Sequence, residues 1–188
     1  MAKGLEKTAE NAKKTVREVE YGEQFTKGVN GRKELLPNVQ YVTENGYRYT
    51  TDEFGRISRV EVDELVLKKG KRNAYSQRMA GREYRITEAE LWEGLDDGGH
   101  LIGTRFNGSG DFDNVVAMNR EINRRGGTWY NMEEEWASAL KEVPPRKVKV
   151  NIQPVYSGNS LRPDRFDVMY KIEGEPFKVR RIKNQIGG

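Results

Sequence analysis

The chain has no cysteine and only one histidine, His100, among its 188 residues. Without cysteine there can be no disulfide bond and no thiolate metal site. No apolar run approaches the length of a transmembrane helix, and the amino-terminal segment MAKGLEKTAENAKK lacks the apolar region of a signal peptide. These absences predict no membrane segment in this fragment and leave a single imidazole for acid–base chemistry.

The composition is polar but sufficient for a core. Hydrophobic residues make up 35% of the chain and charged residues 33%, while 3 Trp, 9 Tyr and 6 Phe provide large side chains to anchor a core. The length suits one domain with an appended arm. We expect residues 1–36 to be a linker or amino-terminal arm, with an amphipathic helix over residues 1–20, and residues 37–188 to be the functional domain.

The net charge is only +4, but it is unevenly distributed. Residues 68–85 hold seven lysines and arginines and one acid, whereas residues 88–97 hold five acids and no base. A basic surface beside an acidic site suits a protein that meets a polyanion near a bound cation. Charge runs are also typical of solvated faces, so both interpretations stay open on charge alone.

Turn signals and alternating polarity predict an α+β domain. The Asn-Gly turn at 45–46 predicts a three-stranded meander over residues 39–67. A polar loop or short helix is expected around 87–93, a buried strand at HLIGTRF, and a helix or compact turn at VVAMNREIN. Trp129 and Trp136 lie at helical spacing before a pair of prolines. The segments KVKVNIQPVY, RFDVMYKIEG and EPFKVRRIKN predict strands that include a closing hairpin.

The single histidine lies in the segment LDDGGHLIG, residues 95–103. A lone histidine is usually a surface or hydrogen-bonded core residue. Here, however, two glycines before it let the backbone approach a ligand closely, and Asp97 is placed to fix the ring tautomer or to bind cation-associated water. An imidazole with a pKa near ~6.5 can take a proton from water at neutral pH. We therefore predict that His100 is a general base and that activity falls below roughly pH 6.5.

Oxygen donors follow the histidine along the chain. The downstream asparagines are Asn107, Asn114, Asn119, Asn123 and Asn131, and Glu133 opens a row of three acids. Mg²⁺ prefers oxygen ligands and keeps several waters, so a site with one amide oxygen, waters and a substrate phosphate fits this composition. Turn and cap roles explain Asn107 and Asn131 better than metal binding does.

Four segments carry a family resemblance: DGGHLIGTRFNGSGDFDNVVAMNREIN, GGTWYNMEEEWASAL, VKVNIQPVYSG and RPDRF. In this order they resemble the DNA/RNA non-specific endonucleases of the ββα-metal (His-Me finger) superfamily. Among these, the nuclease toxin domains at the carboxyl ends of bacterial LXG-type polymorphic toxins are the most similar. The resemblance spans roughly residues 37–184. It implies a ββα-metal nuclease core with a mainly antiparallel sheet and flanking helices.

The resemblance assigns roles at the histidine segment. The signature Asp-Arg-Gly-His reads Asp97-Gly98-Gly99-His100 here, so the arginine is missing and its role is not carried over. His100 matches the general base, and Asp97 matches the acidic residue of the signature.

The metal ligand and the residues around it are also matched by resemblance. Asn123 matches the metal-binding asparagine, and Asn119 is the rival ligand. Asn114 matches a supporting asparagine, and Glu133 matches the helical glutamate that organises metal-bound water. Arg72 or Arg78 matches the arginine that clamps the phosphate.

The resemblance further implies cofactor, partners and location. The expected metal is Mg²⁺, with Mn²⁺ as the alternative, and the expected substrate is DNA, with RNA as the alternative. A nuclease toxin used in interbacterial competition implies a cognate, acidic immunity protein that covers the basic cleft. The chain is then the toxic carboxyl-terminal part of a longer secreted effector that acts in the target-cell cytoplasm and is held with its immunity protein in the producer cytoplasm.

Two other interpretations stay open on sequence alone. A catalytically inactive nucleic-acid-binding module would keep the basic segment but show no Mg²⁺-dependent cleavage. An interaction domain unrelated to nucleic acid would carry the same charges as solvated surface. A gel shift at low salt separates these two alternatives from each other.

Overall fold

The computed structural model describes residues 15–83 and 95–188, and its largest element is a seven-stranded sheet. The strands in chain order are β1 (Arg17–Glu18), β2 (Phe25–Lys27), β3 (Lys33–Leu35), β4 (Val39–Val42), β5 (Arg48–Thr51), β6 (Ile57–Val62), β7 (Asp96–His100), β8 (Val115–Asn119), β9 (Val148–Val155), β10 (Arg165–Ile172) and β11 (Lys178–Lys183). The α-helices are α1 (Ala74–Glu83), α2 (Arg120–Asn123) and α3 (Thr128–Leu140), and a 3-10 turn spans Val29–Gly31.

The large sheet is mainly antiparallel, which confirms the predicted α+β class. Its strand order is β1-β4-β5-β6-β9-β10-β11, and only the β1–β4 pair is parallel. Strands β2 and β3 form a small antiparallel ribbon, and β7 and β8 form another. The predicted meander corresponds to β4, β5 and β6, and the closing hairpin to β10 and β11.

Helix α3 packs on the buried face of the sheet through its two tryptophans. Trp129 meets Phe166 with ring centroids 4.9 Å apart, and Trp136 meets Tyr170 at 5.5 Å, both edge to face. Aromatic pairs of this geometry contribute about 0.5–1.5 kcal/mol beyond their buried area. The helical spacing of the tryptophans is thus explained by core packing, and α3 is fixed relative to strands β9 and β10.

The segment around His100 differs from its prediction. The sequence predicted a strand from His100 to Phe106, but β7 ends at His100 and residues 101–114 form a loop. VVAMN is strand β8 and only REIN is helical. The strand prediction was wrong for two reasons. Strand β7 contains Gly98 and Gly99, which normally disfavour a strand. The apolar residues Leu101 and Ile102, which suggested a buried strand, are buried in a loop instead.

Several further elements were not predicted, including the β2–β3 ribbon within a stretch that the sequence indicates to be a loop. Helix α1 lies in the basic segment, where charge hid its helical pattern. The helix expected over residues 1–20 is wrong where it can be compared, because Arg17–Glu18 pairs with β4 as a parallel strand. The rest of that prediction, residues 1–14, and the loop or short helix expected around 87–93 lie outside the described residues.

Part of the stretch expected to be a linker contacts the domain. Gln24 Nε2 donates to Asp113 Oδ2 at 3.1 Å, and Lys33 Nζ lies 2.5 Å from Asp111 Oδ2. Both acids belong to the loop that follows His100. The boundary between residues 36 and 37 stays a prediction. Within the described ranges, no helix combines the length and apolar character needed to cross a membrane.

Candidate active site

The candidate site is built on strands β7 and β8 and helix α2. The two strands are antiparallel, with Asp96 opposite Asn119 and His100 opposite Val115. Helix α2 follows β8 directly, so Asn123 returns to the start of β7, where Asp97 lies. This strand–strand–helix unit brings the histidine segment and the candidate metal ligand onto one support.

Asn114 holds the loop that leaves His100. Its Oδ1 accepts from Ile102 N and from Tyr49 Oη, both at 2.9 Å, and its Nδ2 donates to Ile102 O at 2.8 Å and to Ser109 O at 2.6 Å. The side chain is fully buried. These hydrogen bonds use the bonding capacity of the amide and fix the backbone two positions after His100.

Glu133 reaches the same loop from helix α3. Its Oε1 accepts from Gly103 N at 3.0 Å, and its Oε2 lies 3.8 Å from Arg105 Nη2. Burial raises the pKa of Glu133 to about 7, against the opposing effects of Arg105 and the Gly103 amide. The carboxyl group is therefore a second clamp on the loop after His100, and it titrates near neutral pH.

His100 ends strand β7 in a partly buried position. Burial, reinforced by the nearby positive charge of Arg72, lowers the pKa of His100 to about 4. Its Nε2 is buried and has no hydrogen-bond partner among the described residues. The ring is consequently neutral at pH 7, and Nε2 or Nδ1, whichever lacks the proton, can act as an acceptor.

A groove of about 590 Å³ is lined by residues of helix α1, strand β7 and helix α2. Its lining includes Arg72 and Arg78 on one side and Asp97 and Asn123 on the other. His100 lies outside this lining, further along β7, and Arg72 connects the two places: it lines the groove, and its charge acts on His100. Arg72 Nε also donates to Thr104 Oγ1 at 3.3 Å, in the loop after His100.

Asp97 orients Asn123 rather than the histidine ring. Asn123 Nδ2 donates to Asp97 Oδ2 at 3.2 Å, and Arg124 binds both oxygens of the same carboxylate at 2.9 and 2.8 Å. Burial opposes ionisation of Asp97, but these hydrogen bonds outweigh it and hold the pKa of Asp97 below its ordinary value. With its amide nitrogen engaged, Asn123 presents Oδ1, to which no described residue donates.

The side chain of Asn119, unlike that of Asn123, is engaged at the start of helix α2. Its Oδ1 accepts from Glu121 N at 2.9 Å and so caps helix α2, and its own backbone amide donates to Asn184 Oδ1 at 2.7 Å. The residue is fully buried. The oxygen that a metal would need is thus engaged at the helix terminus.

The missing arginine of the signature has a structural explanation. A Cβ added at Gly98 would lie 2.1 Å from Gln77 O and 2.5 Å from Gln77 Cα, in the backbone of helix α1. The backbones of helix α1 and strand β7 also approach each other at Gly81, where a Cβ would lie 3.1 Å from Gly98 N. Helix α1 therefore occupies the space of a side chain at position 98, and this close approach delivers Arg78 to the groove.

Two contacts of the acids before His100 could not be predicted from the sequence. Arg124 is one half of a contact between a helix end and a strand 27 positions away, which spacing along the chain does not reveal. Asp96, the other acid before the glycines, forms a buried ion pair with Arg162 at 2.7 Å and contributes to structure. The adjacent acids of the DDGGH segment thus have separate partners.

The donor set fits a metal site with few protein ligands. Among residues 15–83 and 95–188 there is no group of three or more His, Cys, Asp and Glu side chains that could enclose a metal ion. An oriented amide oxygen at Asn123 and an open groove instead suit Mg²⁺, which keeps several of its waters and takes substrate phosphate oxygens as ligands. Two arginines, Arg72 and Arg78, line the groove and suit phosphate, while the two aspartates of the lining, Asp96 and Asp97, are each paired with an arginine.

Comparison with known proteins gives a consistent family assignment. Residues 37–174 match the family model described as DNA/RNA non-specific endonuclease. The chain is 45% identical over 173 residues to the type VII secretion system protein EssD of Staphylococcus aureus strains USA300 and NCTC 8325. The alignment covers 89% of this chain and 26% of EssD, so the chain spans about a quarter of the length of these relatives.

The fold is similar to those of solved nucleases. The Sda1 nuclease with bound zinc superimposes with a TM-score of 0.55 at 18% identity, covering 75% of this chain and 76% of that one. NucA from Streptococcus agalactiae without metal gives 0.54 at 22% identity, covering 86% and 82%. A magnesium-bound structure of the same NucA gives 0.51 at 19% identity, covering 86% and 84%. These similarities confirm the predicted ββα-metal fold, and the family match establishes that the chain belongs to the DNA/RNA non-specific endonucleases, which are phosphodiester hydrolases.

Proposed function

We propose that this chain is the nuclease domain of a secreted toxin and cleaves DNA, with RNA as the alternative substrate, in a Mg²⁺-dependent reaction that uses His100 as the general base. The observation that carries the proposal is the arrangement of Asp97, Asn123 and Arg124. Asp97 engages the amide nitrogen of Asn123, a residue that lines the groove, and leaves its Oδ1 without a donor among the described residues, on the same strand–strand–helix unit that carries His100.

His100 takes the proton from the attacking water. A base must be unprotonated at the working pH, and the low pKa of about 4 ensures this. Asn114 and Glu133 fix the loop directly after the ring, at Ile102 and Gly103. They act as positioning residues, because an error of about 1 Å in a reacting group can cost about 100-fold in rate.

Asn123 would hold the divalent ion through Oδ1, with Asp97 setting the orientation of the amide. Asn119 is the weaker candidate because its Oδ1 caps helix α2. When bound, Mg²⁺ supplies positive charge to the phosphate and the leaving oxygen, and Mn²⁺ offers the same chemistry. The magnesium-bound NucA and the zinc-bound Sda1 support a divalent ion in this fold.

Arg72 and Arg78 contact phosphates at different positions. Arg72 is close enough to His100 to lower its pKa, so it binds the phosphate that is attacked. Arg78 lies in the groove one helical turn into α1 and binds a neighbouring phosphate. Such contacts carry no sequence information, which agrees with non-specific cleavage.

The biological setting is proposed from the relatives. EssD is named as a type VII secretion system protein, which supports a secreted effector that acts in the cytoplasm of a target cell. A producer must restrain a nuclease in its own cytoplasm. We therefore propose a cognate acidic immunity protein that covers the basic groove, with co-purification from the producer as its test.

The enzymatic proposal is tested by incubating plasmid DNA and RNA with the wild-type chain and with His100→Ala, each in Mg²⁺ or in EDTA. Cleavage by the wild type in Mg²⁺ alone, lost in the variant, supports it. Binding of nucleic acid without cleavage under any condition would support the alternative of an inactive binding module.

A further inference from the structure

Tyr75 occupies an exposed position on helix α1, next in sequence to the groove-lining residue Ala74. Ala74 and Arg78 line the groove, and Tyr75 lies between them in sequence. Tyr75 and Arg78 are three residues apart on the helix, so their side chains are neighbours with Cβ atoms about 5–6 Å apart. The buried side of α1 carries Ser76 and Ala80 instead, which leaves Tyr75 and Arg78 on the outward face.

The ring is exposed but its backbone is held firmly. The side chain of Tyr75 is 55% exposed. Its backbone amide donates to Asn73 Oδ1 at 3.0 Å in the helix cap, and Ser76 Oγ donates to Asp111 Oδ1 at 3.0 Å in the loop after His100. Phe112 of that loop meets the Tyr75 ring edge to face, with centroids 6.5 Å apart. The tyrosine is therefore presented to solvent on a support that is tied to the active-site loop.

Two of the other exposed aromatic rings of the described chain have a cation placed over them, and a third, Tyr21, is stacked on Tyr41 with ring centroids 6.3 Å apart. The guanidinium of Arg56 lies 4.7 Å from the Phe54 ring centre, and Lys171 Nζ lies 5.3 Å from that of Phe177. Tyr75 instead has a ring as its neighbour and arginines before and after it in sequence. A flat aromatic surface between cations is the combination with which proteins bind single-stranded nucleic acid, by stacking bases and pairing phosphates.

We propose that Tyr75 is a stacking site for an unpaired nucleobase whose phosphate is bound by Arg78. The inference rests on the proposed nuclease function and adds a substrate preference to it. In an intact duplex the faces of the bases are covered by their neighbours, so an exposed ring gains contact only with single-stranded or locally opened segments. Such segments should bind more tightly than duplex of equal charge.

The test measures binding in the His100→Ala background with EDTA present, so that no substrate is cut. Two fluorescently labelled oligonucleotides of equal length are compared: a single-stranded thymidine oligomer and its abasic counterpart, which has the same phosphates but no bases. Stacking contributes about 1–3 kcal/mol per base, which corresponds to about 5- to 150-fold in affinity. Adding Tyr75→Ala should weaken binding of the thymidine oligomer by about that factor and leave the abasic oligomer within about twofold.

Matched variants keep the outcome decisive. Tyr75→Phe should retain tight binding, because stacking uses the ring and not the hydroxyl group. Phe177→Ala, at an aromatic residue of equal exposure (54%) on the carboxyl-terminal hairpin, should change neither affinity. Equal weakening of both oligomers by Tyr75→Ala, or weakening of neither, would overturn the stacking site while leaving the nuclease proposal intact. If the His100→Ala parent binds neither oligomer at low salt, the proposed function fails with it.

Discussion

Asn123 Nδ2 lies 3.2 Å from Asp97 Oδ2 and donates a hydrogen bond to it, which joins the end of helix α2 to the start of strand β7. The contact decides which atom of the Asn123 amide remains available to bind a cation. An asparagine side chain has one oxygen and one nitrogen, and only the oxygen can bind a cation. Because the carboxylate engages the nitrogen, the oxygen is left for the groove. Arg124 strengthens the arrangement by holding both oxygens of the carboxylate.

Asp97→Ala should therefore weaken metal binding without removing a metal ligand. Loss of a residue that orients a ligand typically costs about 10- to 100-fold in metal affinity. Isothermal titration of the nucleic-acid-free protein with Mn²⁺ measures this directly. Arg124→Ala should have a smaller effect, about fivefold or less, because exposed ion pairs contribute only about 0–1 kcal/mol. Arg125→Ala is the control and should bind metal as the wild type does; unchanged affinity in Asp97→Ala would contradict the orienting role.

His100→Ala should reduce the rate of cleavage by about 10²- to 10⁴-fold, the contribution of general-base catalysis. Affinity for nucleic acid should stay close to that of the wild type, because the phosphate contacts come from arginines. Single-turnover cleavage of plasmid DNA gives the rate, and a gel shift in EDTA gives the affinity. Asn131→Ala, at an exposed helical asparagine, serves as the control. Equal rates for His100→Ala and wild type would remove His100 from the mechanism.

Much of this site could be predicted from the order of residues along the chain. His100, Asn114, Asn123 and Glu133 follow one another in a pattern that resembles the nuclease family, and each lies on the strand–strand–helix unit or clamps its loop. The tryptophan helix and the strands that follow it could also be predicted, because periodic burial produces a regular pattern of apolar residues in the sequence. The meander was marked by its Asn-Gly turn.

The remaining features depend on tertiary contacts. Gly98 lies in a strand because the backbone of Gln77 takes the space of its side chain, and no local rule predicts that contact. Asp96 and Asp97 are adjacent and chemically identical, yet one pairs with buried Arg162 and the other with Asn123. An ordinary histidine predicts that activity falls below about pH 6.5, but burial lowers the pKa of His100. This burial could not be predicted from the residues next to His100 in the sequence.

The pH dependence of kcat/KM should have its acid limb near pH 4. The pKa of His100 is lowered to about 4 by burial and by Arg72, so the ring stays neutral as the pH falls from 8 to 5 and becomes protonated only below that range. Activity should hold to about pH 5 and then decline. Arg72→Met removes one cause of the shift and should move the limb upward while lowering the rate. A wild-type limb at pH 6.5 would show that the ring is not buried in the active enzyme.

Glu133→Gln should stabilise the metal-free protein at alkaline pH. The folded-state pKa of about 7 exceeds the ordinary value of 4.5, so the folded state holds a proton that the unfolded state has released. The stability this group contributes is complete below pH 4.5 and is lost as the pH rises through 7, by about 3 kcal/mol at most. Urea unfolding in EDTA at pH 5 and pH 8.5 measures the difference. The variant should gain on the wild type at pH 8.5 and not at pH 5, whereas Glu53→Gln, at an exposed site, should show no such pH dependence.

Restoring the arginine of the family signature should damage this protein. In Gly98→Arg the Cβ alone would lie 2.1 Å from Gln77 O, so helix α1 must move away from strand β7 and take Arg78 with it. Forcing extra atoms into a packed contact typically costs about 1–3 kcal/mol, and backbone cannot yield as a flexible side chain can. Gly98→Ala should therefore already lower the melting temperature and the cleavage rate, since the first added carbon causes the clash. Ser138→Arg, on the exposed face of helix α3, adds the same side chain where there is room and should leave both unchanged. A fully stable and active Gly98→Arg would mean that α1 does not pack on β7 in solution, and the groove between them would lose its physical basis.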